Sequence, residues 1–229
     1  MDKHLAIAID GPSGAGKSSL AKAAAARFGF IHVDTGAIYR TVGLAAKRAG
    51  VASGDEDGVK AILPGLKIGI GHDAAGIQRM YLNGEDVSGL LRTPEISIYA
   101  SDVSAMPAVR AFLLDMQRDL AKTHDVIMDG RDIGTVVLPE ADLKVFLTAG
   151  AGKRAKRRLS ELREQGVEAT YAAVLTDINY RDTNDSSRAS APLKAAEDAR
   201  MLDTSELTLQ ESIDAICEMV RRKIEEKQA

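Results

Sequence analysis

Residues Gly11, Pro12, Ser13, Gly14, Ala15, Gly16, Lys17 and Ser18 match the pattern G-x-x-x-x-G-K-[ST] in full. Glycines at these spacings let consecutive backbone N–H groups point into one concavity, and a following helix adds partial positive charge at its N-terminus. The chemistry is phosphate binding. Lys17 would reach the β- and γ-phosphates of a nucleoside triphosphate, and the Ser18 hydroxyl would ligate Mg²⁺. The motif says what is held. It does not distinguish kinases, GTPases and ATPase motors.

The arginines narrow the choice. Arg154, Arg157 and Arg158 are spaced i, i+3, i+4 in "KRAKRRLSELREQG", which places them on one helical face. Two readings are open for that face. It is a solvated charged surface interlaced with Glu161 and Glu164, or a lid that closes over a triphosphate and neutralises the transferring group. Arg181 and Arg188 lie seven apart in "NYRDTNDSSRASAPL", a same-face spacing on a helix, with Asp182 and Asp185 near them. Arg131 and Asp132 follow the apolar run "DVIMD", at the strand end where open α/β sheets bind ligands. Asp129 closes that run, either to organise waters on Mg²⁺ or to cap backbone groups. Arg40 and Arg110 are by themselves no more than helix-surface candidates. At 229 residues the chain is short for a motor with added domains, and it has no guanine-reading N-K-x-D. A small-molecule kinase is the reading that remains, with arginines grouped as though to clamp two anionic substrates.

The elements that must position these groups alternate along the chain. Leu5–Asp10, Phe30–Asp34, Asp125–Asp129, Asp142–Leu147 and Arg200–Leu202 read as strands. Helical patterns separate them: Lys17–Phe28 stopping at Gly29, Gly36–Ala49 stopping at Gly50, 94–122 interrupted near Pro107, and Leu207–Glu226. Such alternation predicts a parallel sheet with helices on both faces. From Leu66 to Val87 the pattern alternates and carries the turn signals "HDAAG" and "NG", which predicts a small antiparallel insertion. The "GDEDG" stretch at 54–58 reads as an exposed turn.

Composition excludes several classes. Net charge is −3, so the basic footprint of a duplex binder is missing. Aromatics are 4% with no Trp, which leaves no stacking platform for single strands. A single cysteine, Cys217, allows no internal disulfide and predicts a reducing, cytoplasmic setting, with the thiol packed among Ile213, Ile216 and Val220. His4, His32, His72 and His124 are too far apart for zinc-site spacing. No apolar run has the length of a membrane span, and the N-terminus runs straight into a strand rather than a signal sequence. A soluble monomer acting on small molecules is expected.

Taken together, "IDGPSGAGKSS", "DTGAIYR" at 34–40, "DGRDIGTVVLP" at 129–139 and "RDTNDSSRASAPL" at 181–193 resemble bacterial cytidylate kinases, and "LNGEDVSGLLRTPEIS" is similar to that family's inserted lobe. The resemblance spans nearly the whole chain in the family's motif order. It implies a P-loop kinase fold of the nucleoside monophosphate kinase type, α/β with a five-stranded parallel sheet. Its divisions would be a core (1–35, 106–150, 190–229), a monophosphate-binding lobe with the insertion (about 36–105) and a helical lid (about 151–189). The implied reaction is transfer of the γ-phosphate of ATP, with Mg²⁺, to CMP or dCMP. Residue by residue, it implies a donor site at Gly11–Ser19, Ser19 included, and lid arginines at Arg154, Arg157 and Arg158. Arg40 and Arg131 would grip the CMP phosphate. Thr35, Arg110, Asp132 and Arg188 would surround cytosine, and Ser101, Arg181 and Asp185 would hold the pentose. Chemically, a carboxylate suits the exocyclic amine of cytosine and arginines suit its N3 and O2 acceptors. Two other readings stay open: a kinase for another small acceptor, and a nucleotide-sensing protein without turnover.

Overall fold

Strand β1 (Ala6–Asp10) runs through the middle of the main sheet because its side chains are apolar on both faces. Ile7 and Ile9 point to one side and Ala8 to the other, all three fully buried. The computed structural model describes residues 4–164 and 166–228. The sheet has β2 (Ile31–Asp34), β6 (Val126–Gly130), β1, β7 (Leu143–Thr148) and β8 (Arg200–Asp203) in that order, and every neighbouring pair is parallel. The five strands predicted from the apolar runs are these five, each within a residue or two.

Helices α1 (Lys17–Phe28) and α8 (Leu209–Gln228) cover the face that carries Ile7, Ile9 and Ile127. The alanine-rich side of α1, with Ala21, Ala24 and Ala25 buried, lets that helix lie close to the sheet. Cys217 is buried in this layer, as its apolar neighbours predict, and burial pushes its thiol pKa up. The opposite face, with Ala8, Val33 and Met128, packs against α2 (Thr35–Arg48), α4 (Pro94–Ser104) and α5 (Pro107–Thr123). Pro94 and Pro107 each open a helix at its first turn, where the missing N–H costs nothing. That is why the predicted 94–122 helix is two helices.

The insertion is a separate antiparallel sheet of β3 (Ile68–His72), β4 (Gln78–Leu82) and β5 (Glu85–Asp86). Asn83 and Gly84 both have positive φ (51° and 90°), the pair of conformations that a tight two-residue turn needs. The insertion docks on β2, the edge of the main sheet. The Gln78 amide accepts from the Asp34 N–H (2.7 Å) and donates to the Asp34 carbonyl (3.2 Å).

The expected exposed turn at "GDEDG" extends only to Gly54, and from Glu56 the stretch is the start of helix α3 (Glu56–Ile62). Asp55 accepts from the Gly58 N–H (2.9 Å), so the acidic residue that looked like turn chemistry is an N-cap. Helices α6 (Ala151–Glu164) and α7 (Tyr171–Ser187) pack on each other through Ala155, Leu159, Val174 and Ile178. Among the described residues no helix is long and apolar enough to cross a membrane.

Candidate active site

The chain leaves β1, β2, β6 and β7 at one edge of the sheet, and a cleft of about 390 Å³ opens there. After β1 the loop folds back on itself. Gly11 has φ +150° and lies so close to β7 that a Cβ would come 2.0 Å from the Leu147 carbonyl oxygen. Only glycine fits. Gly16, with φ 97°, precedes α1 without a side-chain cap, which leaves the first N–H groups of α1 facing the cleft. Pro12 accepts from Lys17 Nζ (2.8 Å) through its carbonyl, and Ser13 and Ala15 face their carbonyls toward the arginines of α6. Burial, reinforced by the nearby Arg131 charge, lowers the Lys17 pKa to about 7.

Ser18 Oγ donates to Asp129 Oδ2 (2.8 Å), and His32 Nε2 lies 2.7 Å from Asp129 Oδ1. Burial opposes charge on the His32 ring. The Asp129 hydrogen bond together with the Asp129 and Asp34 charges outweighs it and raises the imidazole pKa. Asp129 therefore does not cap backbone with its side chain; it links the Ser18 hydroxyl to a histidine that sequence reasoning passed over. Thr35, the first residue of α2, donates to the Asp129 carbonyl (2.8 Å). Thr35 and Ser19 both line the cleft.

Asp132 lies between two arginines. Arg110 Nη2 donates to its Oδ2, and Arg188 Nη2 stands 3.6 Å from its Oδ1. Both arginines are anchored elsewhere, Arg110 on the Ser104 carbonyl (3.1 Å) and Arg188 on the Ala191 carbonyl (2.6 Å) and Ser104 Oγ (3.2 Å). The Arg110 guanidinium also sits 5.7 Å over the Tyr39 ring. Burial raises the Asp132 pKa against the pull of both arginines. Arg188 Nη2 is buried and makes no hydrogen bond within the described residues. A buried donor without a hydrogen bond, beside a carboxylate, is spare recognition capacity. Arg110, a helix-surface candidate from sequence, is buried.

Five arginines, Arg40, Arg92, Arg131, Arg158 and Arg181, crowd the rest of the cleft. Arg181 has its pKa lowered to about 10, by burial first and then by Arg131, Arg158 and Arg40. Arg131 Nε donates to Asp185 (2.7 Å), and Arg40 approaches Asp34 at 3.5 Å, as Arg92 does at 3.9 Å. Ser101 Oγ accepts from Asn184 Nδ2 (2.8 Å), joining α4 to α7. Asp34 and Arg92 were missed, although Asp34 carries a legible signal: it N-caps α2 by accepting from the Ala37 N–H (2.9 Å).

Arg188 is the C-cap of α7; its φ of −63° is still helical and only its ψ of 138° departs, so the chain leaves the helix after it. Arg181 and Arg188 both line the cleft. The trio on α6 divides. Arg154 is buried, donating to the carbonyls of Ala149 (2.7 Å) and Ser13 (2.9 Å) and pairing with Asp182 at 3.0 and 2.6 Å. Arg157 donates to Thr204 O (2.5 Å), Thr204 Oγ1 (3.1 Å) and Ala15 O (3.4 Å). Arg158 lines the cleft, with Glu161 at 3.1 Å. This face is thus neither solvated nor uniformly aimed at a ligand. Arg154→Ala is expected to lower stability by about 3 kcal/mol, the cost of leaving one side of a buried pair unpaired. Urea denaturation with an unchanged midpoint would contradict that.

Against this geometry, the cytidylate kinase family model matches residues 7–222. The chain belongs to the cytidylate kinase family. It is 48% identical to a cytidylate kinase of Caldicellulosiruptor saccharolyticus, covering 97% of this chain and 98% of that one. It is 47% identical to a cytidylate kinase of Geobacter sp. strain M21, over 97% and 94% of the two chains. The corresponding Lactobacillus johnsonii protein is 45% identical, over 95% and 94%. As a member of the cytidylate kinase family, the chain is an ATP-dependent nucleotide kinase rather than a GTPase, motor or nucleotide sensor.

Proposed function

We propose that this protein transfers the γ-phosphate of ATP to CMP or dCMP, giving ADP and CDP or dCDP. The observation that carries the reading is Asp132 between Arg110 and Arg188, with Arg188 Nη2 near the carboxylate but without a hydrogen bond among the described residues. The carboxylate accepts from the cytosine amine, and the arginines donate to the base's acceptors. Uracil would set an acceptor against the carboxylate. Thr35 supports the base from the Asp129 side. Ser101, Arg181 and Asp185 hold the pentose, and Arg40 with Arg131 grips the acceptor phosphate.

The donor triphosphate lies in the Gly11–Ser19 loop with Lys17 at the transfer point. An acceptor phosphate oxygen attacks the γ-phosphorus in line, the bond to the β-phosphate oxygen breaks, and ADP leaves with no phosphoenzyme. Arg158 and Arg131 neutralise the charge on the transferring group, while Arg154 and Arg157 hold the Ser13 and Ala15 backbone of the loop. Ser18 and Asp129 are the residues that would hold Mg²⁺, the ion supplying further neutralisation at the β- and γ-oxygens. They fit it: their oxygens are hard donors 2.8 Å apart. No group of three or more His, Cys, Asp or Glu side chains converges among the described residues, which suits an ion bound largely through substrate phosphates and water. The 36–105 lobe and the 151–189 lid close over the two substrates, the protein acts as a monomer, and a buried single thiol suits a reducing cytoplasm.

A coupled ADP-release assay across CMP, dCMP, UMP, AMP and GMP tests the reading. CMP and dCMP should exceed the others by at least about a hundredfold in kcat/KM. Equal turnover of AMP or GMP would overturn it. ATP binding should also take up protons near pH 7.5. Lys17 titrates at about 7 in the free protein, so it is mostly neutral there, and a bound polyanion raises its pKa and charges it. Calorimetry in buffers of different ionisation enthalpy reads that uptake, and proton release would contradict the assignment.

A further inference from the structure

We infer that Asp10 is a specificity-determining positioning residue, which keeps the Asp132 carboxylate free for the base by capping the turn that Asp132 would otherwise cap itself. The inference rests on the base-reading role proposed for Asp132.

Asp10 ends β1, immediately before the phosphate loop, and is 4% exposed. Its Oδ1 accepts from the Ile133 N–H and its Oδ2 from the Gly134 N–H, both at 2.8 Å. Those two amides are the first of a single π-helical turn, Ile133–Val137, whose N-cap residue is Asp132. The first amides of any helical turn lack partners inside it, and an aspartate at the N-cap normally folds its side chain back to accept from them. Asp132 does not do so. Its carboxylate instead faces Arg110 and Arg188. The cap comes from a strand more than 120 residues away in sequence.

The geometry leaves room for this exchange. A Cβ on Gly134 would sit 3.4 Å from Asp10 Oδ2 and 3.1 Å from Lys144 Cδ, so glycine admits the carboxylate without crowding. With both amides satisfied by Asp10, Asp132 gains nothing by turning inward. Without Asp10 the same amides are buried donors in need of an acceptor, and Asp132 is the nearest in sequence. Turning toward them would take it from Arg110 and the base. One carboxylate thus joins the end of the donor loop's strand to the group that reads the acceptor.

The test compares Asp10→Asn, Asp132→Ala and the double variant, each with CMP and UMP. The asparagine keeps one acceptor and sets an amide against the other N–H. The ratio of kcat/KM for CMP over UMP should fall about tenfold in Asp10→Asn, the loss expected from one buried charge-assisted hydrogen bond. KM for ATP should stay within about threefold. The double variant should show the same ratio as Asp132→Ala alone, because Asp10 acts through Asp132. Equal losses for CMP and UMP in Asp10→Asn, beside a selective Asp132→Ala, would mean that Asp10 only stabilises the fold. An unselective Asp132→Ala would overturn the base-reading role, and this inference with it. A second measurement needs no variant. In the unmodified protein the Ile133 and Gly134 amide resonances should shift together on acidification with a midpoint near the Asp10 pKa. Burial raises that pKa to about 6, with Asp132 and Lys17 as the charged groups facing Asp10. Amides that stay flat through that range would overturn the capping.

Discussion

Replacing Asp132 with alanine is expected to lower kcat/KM for CMP about a thousandfold and that for UMP by no more than about tenfold. The asymmetry follows from what the carboxylate faces. With CMP bound it accepts from the cytosine amine while Arg110 and Arg188 offer donors beside it. Removing it leaves that amine short of an acceptor, a loss specific to the base that had a donor to give, whereas the loss to the two buried guanidiniums is common to both nucleotides. With UMP the carboxylate already opposes a carbonyl oxygen, so its removal also relieves a repulsion. Steady-state kinetics with both nucleotides reads the ratio. Parallel losses would return Asp132 to a purely structural role as the partner of Arg110. Asp132→Asn sharpens the test, since its amide can donate to the uracil oxygen and should favour UMP over CMP relative to the parent.

Lys17→Met should lower kcat about a thousandfold, the scale of losing a preorganised charge at the transfer point, with a smaller change in KM for CMP. Lys17 is buried, donates to the Pro12 carbonyl and is depressed to about pKa 7. The free protein thus holds a lysine with little solvation to lose when phosphates arrive. Its charge is worth most in that dry setting, as negative charge spreads over the transferring group. Lys17→Arg should not restore the rate, because a planar guanidinium needs more room than this ammonium occupies. Single-turnover measurement with saturating ATP separates chemistry from binding. An unchanged single-turnover rate would place Lys17 in binding alone.

Much of the protein was written in local pattern. Four of the five strands are apolar runs bounded by polar or glycine residues, the fifth is the exposed edge strand Arg200–Asp203, and each formed where the pattern placed it. The phosphate loop was legible for a similar reason: its function lies in backbone N–H groups, and the spacing of Gly11, Gly14 and Gly16 dictates backbone shape directly. The Asn83–Gly84 turn and the Pro94 and Pro107 helix starts belong to the same class of short-range, sterically enforced signals. Asp55 misled because an acidic N-cap and an acidic turn share one composition, and only the Glu56–Ile62 hydrogen-bonding pattern distinguishes them.

Side-chain partnership was decided elsewhere. Spacing correctly put Arg154, Arg157 and Arg158 on one helix, yet it said nothing of which would meet Asp182, Thr204 or the cleft. That depended on α7 and the β8 end packing against α6. Spacing likewise said nothing of the partners of Arg188 at the end of α7, which are the Ala191 carbonyl, Ser104 Oγ and Asp132. Asp10 and Asp132 show the division most plainly. By itself the sequence determined that one aspartate ends a strand and another precedes a turn, since both facts rest on neighbours within a few positions. Only the tertiary structure decided which of them caps that turn and which faces a ligand. Parallel pairing of β1 with β6 brings Asp10 beside Gly130 across more than a hundred residues, and a hydrogen bond is settled by distance in space.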